Sequence, residues 1–133
     1  MTVLVDTSAL FAVLADGDEH HRAAAEWLGG PGRSGGEELL THNYMVLESA
    51  ALVQRRLGPE AVRVLFHDLL PVMAVAYVDE PLHRAAVGAF LAIAQRKVSL
   101  VDSVSFELMR NAGITRAFAF DRGFHEQGFE TVP

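Results

Sequence analysis

Residues 3–14 read VLVDTSALFAVL, and the turn inside that stretch decides the fold. Val3-Leu4-Val5 is a short apolar run of the kind that forms a buried strand. It stops at Asp6-Thr7-Ser8, after which Ala9, Leu10, Phe11, Val13 and Leu14 return at helical spacing. A strand therefore feeds a helix through a turn that carries an aspartate.

The alternation of strand and helix continues outward along the chain. Asp18 is placed to cap a second helix, about His20 to Leu28, whose apolar face holds Ala23, Ala24, Trp27 and Leu28. Gly29-Gly30-Pro31-Gly32 stops it, and residues 29–36 read as a flexible segment too short for an interdomain linker. Glu38 to His42 predict a second strand, and Asn43 to Leu57 a periodic helix closed by Gly58-Pro59. Pro59 then starts a helix reaching Leu70. Val72 to Val78 predict a strand buried on both faces. A helix opens at Asp79-Glu80-Pro81 and runs to about Gln95, and another covers Asp102 to Asn111 before Gly113. Ala117 to Phe120 form a strand ending at Asp121, and Phe129 to Val132 add a last edge strand. This order predicts one α/β domain over residues 1–133, with helices covering both faces of a mostly parallel sheet of four to five strands.

Composition narrows the chemistry. A chain of 133 residues, 50% hydrophobic, is enough for one continuous core. It has no cysteine, which excludes a disulfide framework, a thiolate nucleophile and a sulfur-ligated zinc. Any metal is left to oxygen or imidazole. The opening MTVLVDTSAL lacks a basic leader, and the apolar run Ala85 to Ala94 is broken by Gly88 and ends at Gln95-Arg96-Lys97. The expectation is a cytoplasmic protein with no membrane span. The formal charge of −6 runs against a basic nucleic-acid surface. Setting four carboxylates aside from the 17, however, leaves 13 acids against 11 bases, a nearly balanced remainder.

Those four are Asp6, Glu48, Asp102 and Asp121. Ligands of open α/β sheets bind beyond the carboxyl ends of the strands, and Asp6 and Asp121 each follow an apolar strand. Each also fits the simpler role of a cap or Asx-turn. Glu48 interrupts an apolar helical face among Tyr44, Met45, Ala51 and Leu52, where an unpaired carboxylate would cost several kcal/mol. It should face a cavity, a cation or a metal, because Arg55 and Arg56 lie too far along the helix to pair with it. Asp102 stands three residues after Ser99 in an S-x-x-D capping pattern, which by itself accounts for it.

Four motifs in order carry more information than any of these acids alone: Val5-Asp6-Thr7-Ser8-Ala9-Leu10, Asn43-Tyr44 with Leu47-Glu48, Ser99-Leu100-Val101-Asp102-Ser103 with Ser105-Phe106, and Phe118-Ala119-Phe120-Asp121 with Phe124. Together they resemble the PIN domain, and in particular the VapC-type toxin ribonucleases. The resemblance spans nearly the whole chain. It implies a PIN-like three-layer α/β/α fold and magnesium-dependent hydrolysis of RNA, with manganese as an alternative ion and a 5′-phosphate product. It also implies Asp6, Glu48, Asp102 and Asp121 as the acidic metal site, a VapB-type antitoxin that covers the crevice, and a homodimer. Within that frame magnesium's preference for about six oxygens, several from water, suits Asp6 and Asp102 as direct ligands. Glu48 and Asp121 would hold waters or a second ion, and Thr7 or Ser8 would donate to a carboxylate or to phosphate. Two positions differ from the family pattern. Arg122-Gly123 follow Asp121 where relatives often carry a further acid, and Ser103 stands where a small apolar residue is frequent.

The remaining polar residues read as surface or packing. The six histidines show no H-x-x-x-H spacing, and Glu107 points away from the helix face of Asp102. Arg22, Arg96, Lys97, Arg116 and Arg122 are the candidate phosphate contacts. Two other functions compete. A haloacid-dehalogenase-like phosphotransferase also begins with a strand ending in aspartate, but its D-x-D partner is replaced here by Ser8. A PIN-like module could instead bind RNA or protein without cleaving, which the presence of all four acids argues against.

Overall fold

The computed structural model describes residues 1–133, with the side chain of Arg33 outside the described set. The chain runs β1 (Thr2–Val5), α1 (Thr7–Leu14), α2 (His21–Gly29), α3 (Pro31–Ser34), β2 (Glu38–His42), α4 (Asn43–Leu57) and α5 (Pro59–Val64). A π-helical turn (Leu65–Leu69) and a 3-10 turn (Leu70–Val72) lead to β3 (Ala74–Ala76). Then come α6 (Glu80–Ile93), α7 (Leu100–Ala112), β4 (Arg116–Phe118), α8 (Arg122–Glu126) and β5 (Glu130–Val132). The five strands form one sheet in the order β3-β2-β1-β4-β5, and every pairing is parallel.

Strand periodicity sorts the core into two layers. Val3 and Val5 of β1 join Leu39, Phe118 and Val132 under α1 and α2, together with Val53 of α4 and Leu65 and Leu69 of the π turn. Leu4, pointing the opposite way, joins Ala117 and Ala119 under Phe106 and Met109 of α7 and Phe124 of α8. The molecule is thus a three-layer α/β/α sandwich, as its order of elements predicts. Phe106, Phe118 and Phe124 are among its largest fully buried side chains, each contributing about 1.5–3 kcal/mol by leaving water.

Three local expectations change. The strand after the 3-10 turn is half exposed rather than buried on both faces, because the strand order leaves β3 at a sheet edge. The segment after Gly29 contains the short helix α3, started by Pro31, which fixes the backbone for a first helical turn. Asp18 accepts a hydrogen bond from the backbone N–H of His20 at 3.0 Å, shaping the turn before α2 instead of capping the helix itself.

Candidate active site

In an all-parallel sheet the carboxyl ends of the strands share one edge. β1 sits at the centre, and the chain leaves it toward β2 on one side while β4 returns on the other. That reversal opens a crevice at the ends of β1 and β4, where α/β sheets bind ligands. Asp6 is the first residue past β1, with its backbone N–H donating to the carbonyl of Phe118 in β4 at 3.0 Å.

Each aspartate of the set is held by a cap. The Oδ2 of Asp6 accepts from the Ser8 backbone N–H at 3.0 Å and from the Ser8 hydroxyl at 2.5 Å. The Oδ2 of Asp102 accepts from the Ser99 backbone N–H at 2.9 Å, while Ser99 Oγ accepts from the Asp102 N–H, a complete capping box at the start of α7. The Oδ1 of Asp121 accepts from the Gly123 N–H at 2.9 Å and caps α8. Capping and site chemistry are therefore compatible readings of the same residues. A cap uses one oxygen and fixes the carboxylate, and among the described residues no hydrogen bond engages the other oxygen of any of the three.

The fourth acid comes from α4, which packs against α1 and α7. Its buried ridge is Met45, Ser49 and Val53, so Glu48 lies beside that ridge, half-buried, instead of interrupting it. Thr7 locks the register. Its hydroxyl sits 2.8 Å from Ser49 Oγ and donates to Met45 Sδ at 2.9 Å, on either side of Glu48 along the helix. At the head of α4, His42 is fully buried and accepts the Met45 N–H at Nδ1, which leaves the proton on Nε2 to donate to Ser105 Oγ of α7 at 2.8 Å. Burial pushes the His42 imidazole down to about 4, so it is a neutral structural clamp between α4 and α7.

Electrostatics shows which acids meet. Burial lifts the Asp6 carboxyl to about 7 against the two bonds from Ser8, with the charges of Asp102 and Asp121 adding to the rise. Asp102 is raised by burial first and then by Asp121, with the Ser99 backbone bond opposing. Glu48 is raised by burial, opposed by the Thr7 hydroxyl and reinforced by Asp102 and Asp121. Asp102 and Asp121 thus act on both Asp6 and Glu48 across one crevice. As placed, no three acidic or imidazole side chains among the described residues stand close enough to enclose an ion.

A divalent cation suits this donor set. The donors are hard oxygens, three aspartates each keep a free one, and like charges crowded into a partly desolvated crevice are the condition that a cation relieves. The residues that would hold it are Asp6 and Asp102, with Glu48 and Asp121 beside them.

The chain matches the PIN domain over residues 3–130. The chain belongs to the PIN-domain family. It is 33% identical over 132 residues to the 23S rRNA-specific endonuclease VapC20 of Mycobacterium tuberculosis, covering 98% of this chain and 97% of that protein. The crystal structure of that VapC20, described as a sarcin-ricin loop cleaving toxin, superposes with a TM-score of 0.87 at 31% identity over 98% of this chain and 99% of that one. FitAcB from Neisseria gonorrhoeae shares the fold, with a TM-score of 0.68 at 14% identity over 100% of this chain and 97% of that one. The chain is a VapC-type PIN-domain ribonuclease, as its four motifs imply, and the phosphotransferase alternative falls away.

The structure also separates the candidate phosphate contacts of this PIN domain. Arg116 lies at the opening of β4, at the far end of the sheet, where it pairs with Glu37 at 2.6 Å and Glu130 at 3.8 Å. It is a structural cation, not a crevice residue. Arg22 is exposed on α2 and pairs with Glu26 one turn on. Arg96 and Lys97 lie exposed in the loop that enters α7, and Arg122 follows Asp121 directly. β4 ends at Phe118, two residues earlier than its apolar run, and this frees Ala119-Phe120-Asp121 to form the crevice rim. Three features lay outside sequence reasoning: the Ser8 hydroxyl accepting the Phe120 N–H at 3.0 Å, the His42–Ser105 clamp, and His20 stacked on Phe120. Only the first had a signal, in the hydroxyl beside Asp6.

Proposed function

We propose that this protein is the toxin of a VapBC-type pair and that it hydrolyses RNA phosphodiester bonds with magnesium, or manganese, held by Asp6 and Asp102 and assisted by Glu48 and Asp121. The observation that carries this reading is the coupling of four carboxylates at the switch point of a parallel sheet, three of them aspartates with one oxygen capped and one free. When bound, the ion supplies charge neutralisation at the phosphate and Lewis acidity for an in-line displacement. The protein's part is orientation. Ser8 fixes the Asp6 carboxylate and ties it to the Phe120 backbone, Ser99 fixes Asp102, and the Thr7 and His42 clamps hold the helix that carries Glu48.

The named substrate of the VapC20 relative makes 23S rRNA the first RNA to test. A protein antitoxin covering the crevice, a homodimeric toxin and a cytoplasmic site of action complete the proposal. No helix among the described residues is long and apolar enough to cross a membrane. The test is to incubate purified protein with ribosomal RNA and magnesium and to sequence the fragment ends, with Asp6→Asn alongside. Discrete new ends that vanish in the variant and in chelator are expected. Intact RNA at every magnesium and manganese concentration would overturn the reading.

A further inference from the structure

Beside the acidic crevice lies a groove of about 470 Å³ lined by Phe120, Asp121, Arg122, His125, Glu126 and Thr131 among others. Phe120 contributes its ring to that lining and is braced by two further rings that do not line the groove. The imidazole of His20 stacks on the Phe120 ring with centroids 4.4 Å apart and planes 7° from parallel, although the two residues come from the turn before α2 and the rim after β4. Phe118 supports Phe120 edge-on at 6.2 Å from below. Phe120 remains partly exposed, and its backbone N–H is held by the same Ser8 hydroxyl that donates to Asp6. The ring is therefore fixed one residue from Asp121 and two hydrogen bonds from Asp6. Arg122 and His125 are exposed, and Arg122 has no ion pair among the described residues.

We infer that this groove seats one nucleotide of single-stranded RNA next to the phosphate to be cleaved, its base packed on the exposed part of Phe120, which His20 braces by stacking, and its phosphate against Arg122. Three observations converge. The volume suits one nucleotide, an aromatic ring is the usual platform for an unpaired base, and Arg122 lines the groove next to Asp121, where an anionic backbone entering the crevice would pass. Stacking is tolerant of base identity, so the groove positions the strand and leaves sequence choice to other contacts. Phe120 is a positioning residue on this account, and the inference rests on the ribonuclease reading above.

The test places 2-aminopurine at successive positions of a single-stranded RNA and measures its fluorescence on binding to the Asp6→Asn protein, with and without Phe120→Leu. Leucine keeps the apolar bulk and removes the ring face, and Phe120→Trp restores it. Quenching at one position that is lost with leucine and regained with tryptophan is expected. In the otherwise unaltered protein, Phe120→Leu should raise KM for RNA about tenfold while kcat stays within about twofold. Arg122→Gln should flatten the dependence of log affinity on log salt by about one phosphate contact. Unchanged quenching and unchanged KM in Phe120→Leu would overturn the inference. A parent protein that binds and quenches but cleaves no RNA would count against the ribonuclease reading and leave the groove standing.

Discussion

Two serines on α7 show how narrowly a side chain's role depends on what it faces. The Oγ of Ser103 is buried without a hydrogen-bond partner among the described residues, whereas Ser105, two positions on, accepts a hydrogen bond from His42 and donates to the Val101 carbonyl. Removing an unsatisfied hydroxyl is neutral or stabilising, and removing a used one strands its partner at a cost of about 1–3 kcal/mol. Ser103→Ala is therefore expected to leave urea stability unchanged or raise it by up to about 1 kcal/mol, and Ser105→Ala to lower it by about 2 kcal/mol. A loss in the first variant matching the second would show that Ser103 has a partner after all. Asp6 is the other residue whose surroundings set its behaviour. Its carboxyl takes up a proton at about 7 in the folded chain and near 3.8 when unfolded, so the stability it supplies below pH 3.8 is lost as pH rises through 7. Asp6→Asn keeps the cap and removes the charge. In metal-free buffer it should stabilise the protein at pH 8, by at most about 4 kcal/mol, and change little at pH 4. Equal stability at both pH values would mean that the buried charge costs nothing.

At the scale of elements, the head of α4 is clamped to α7 through His42, whose pH dependence has the opposite sign. Its imidazole stays neutral down to about 4 when folded and only to about 6.5 when unfolded, so its contribution is full above pH 6.5 and lost as pH falls toward 4. That is worth about 3 kcal/mol and nearly offsets Asp6 over the same range. Metal-free protein is accordingly expected to show a shallow stability profile between pH 4 and 7. Asp6→Asn should expose a steep loss toward pH 4, read by urea unfolding at several pH values. A profile for the variant as flat as the parent's would rule out the His42 effect. The opposite end of the sheet has its own clamp, Arg116 with the nearly buried Glu37, whose second oxygen has no partner among the described residues. Arg116→Ala should cost roughly 2–4 kcal/mol by stranding that carboxylate, and cleavage by the folded fraction should be unaffected. Lost activity in folded protein would return Arg116 to the crevice. The elements themselves were largely legible, because the period of apolar residues and the Gly-Pro punctuation place β2, α4 and α6 almost to the residue. What periodicity does not contain is strand order, and for that reason β3, apolar enough for an interior strand, is found at an edge.

For the whole molecule, the acidic net charge and the acidic site belong to one explanation. Four carboxylates are gathered from the end of β1, α4, α7 and the rim after β4, and burial first, then the charges of neighbouring acids, raise the proton affinities of Asp6, Glu48 and Asp102. Protons and a divalent cation should compete for the same oxygens. Magnesium is expected to raise the melting temperature at pH 8 and to do so much less at pH 5. An equal shift at both values would place the ion elsewhere. Four motifs in order single out the acids that the fold brings toward one crevice, which no local spacing could do because their separation along the chain hides any spatial pattern. How they are held was not legible. The serine, threonine and histidine bonds that orient them are made between elements remote in sequence, and no local spacing encodes such contacts. The central claim, that these four carboxylates jointly carry out cleavage, is tested most directly by the magnesium-saturated rate on 23S rRNA for Asp6→Asn, Glu48→Gln, Asp102→Asn and Asp121→Asn, each confirmed folded. The expected result is a fall of about a hundredfold or more for Asp6 and Asp102 and a substantial fall for the other two. A folded Asp6→Asn or Asp102→Asn protein that cleaves at the parent rate would contradict it.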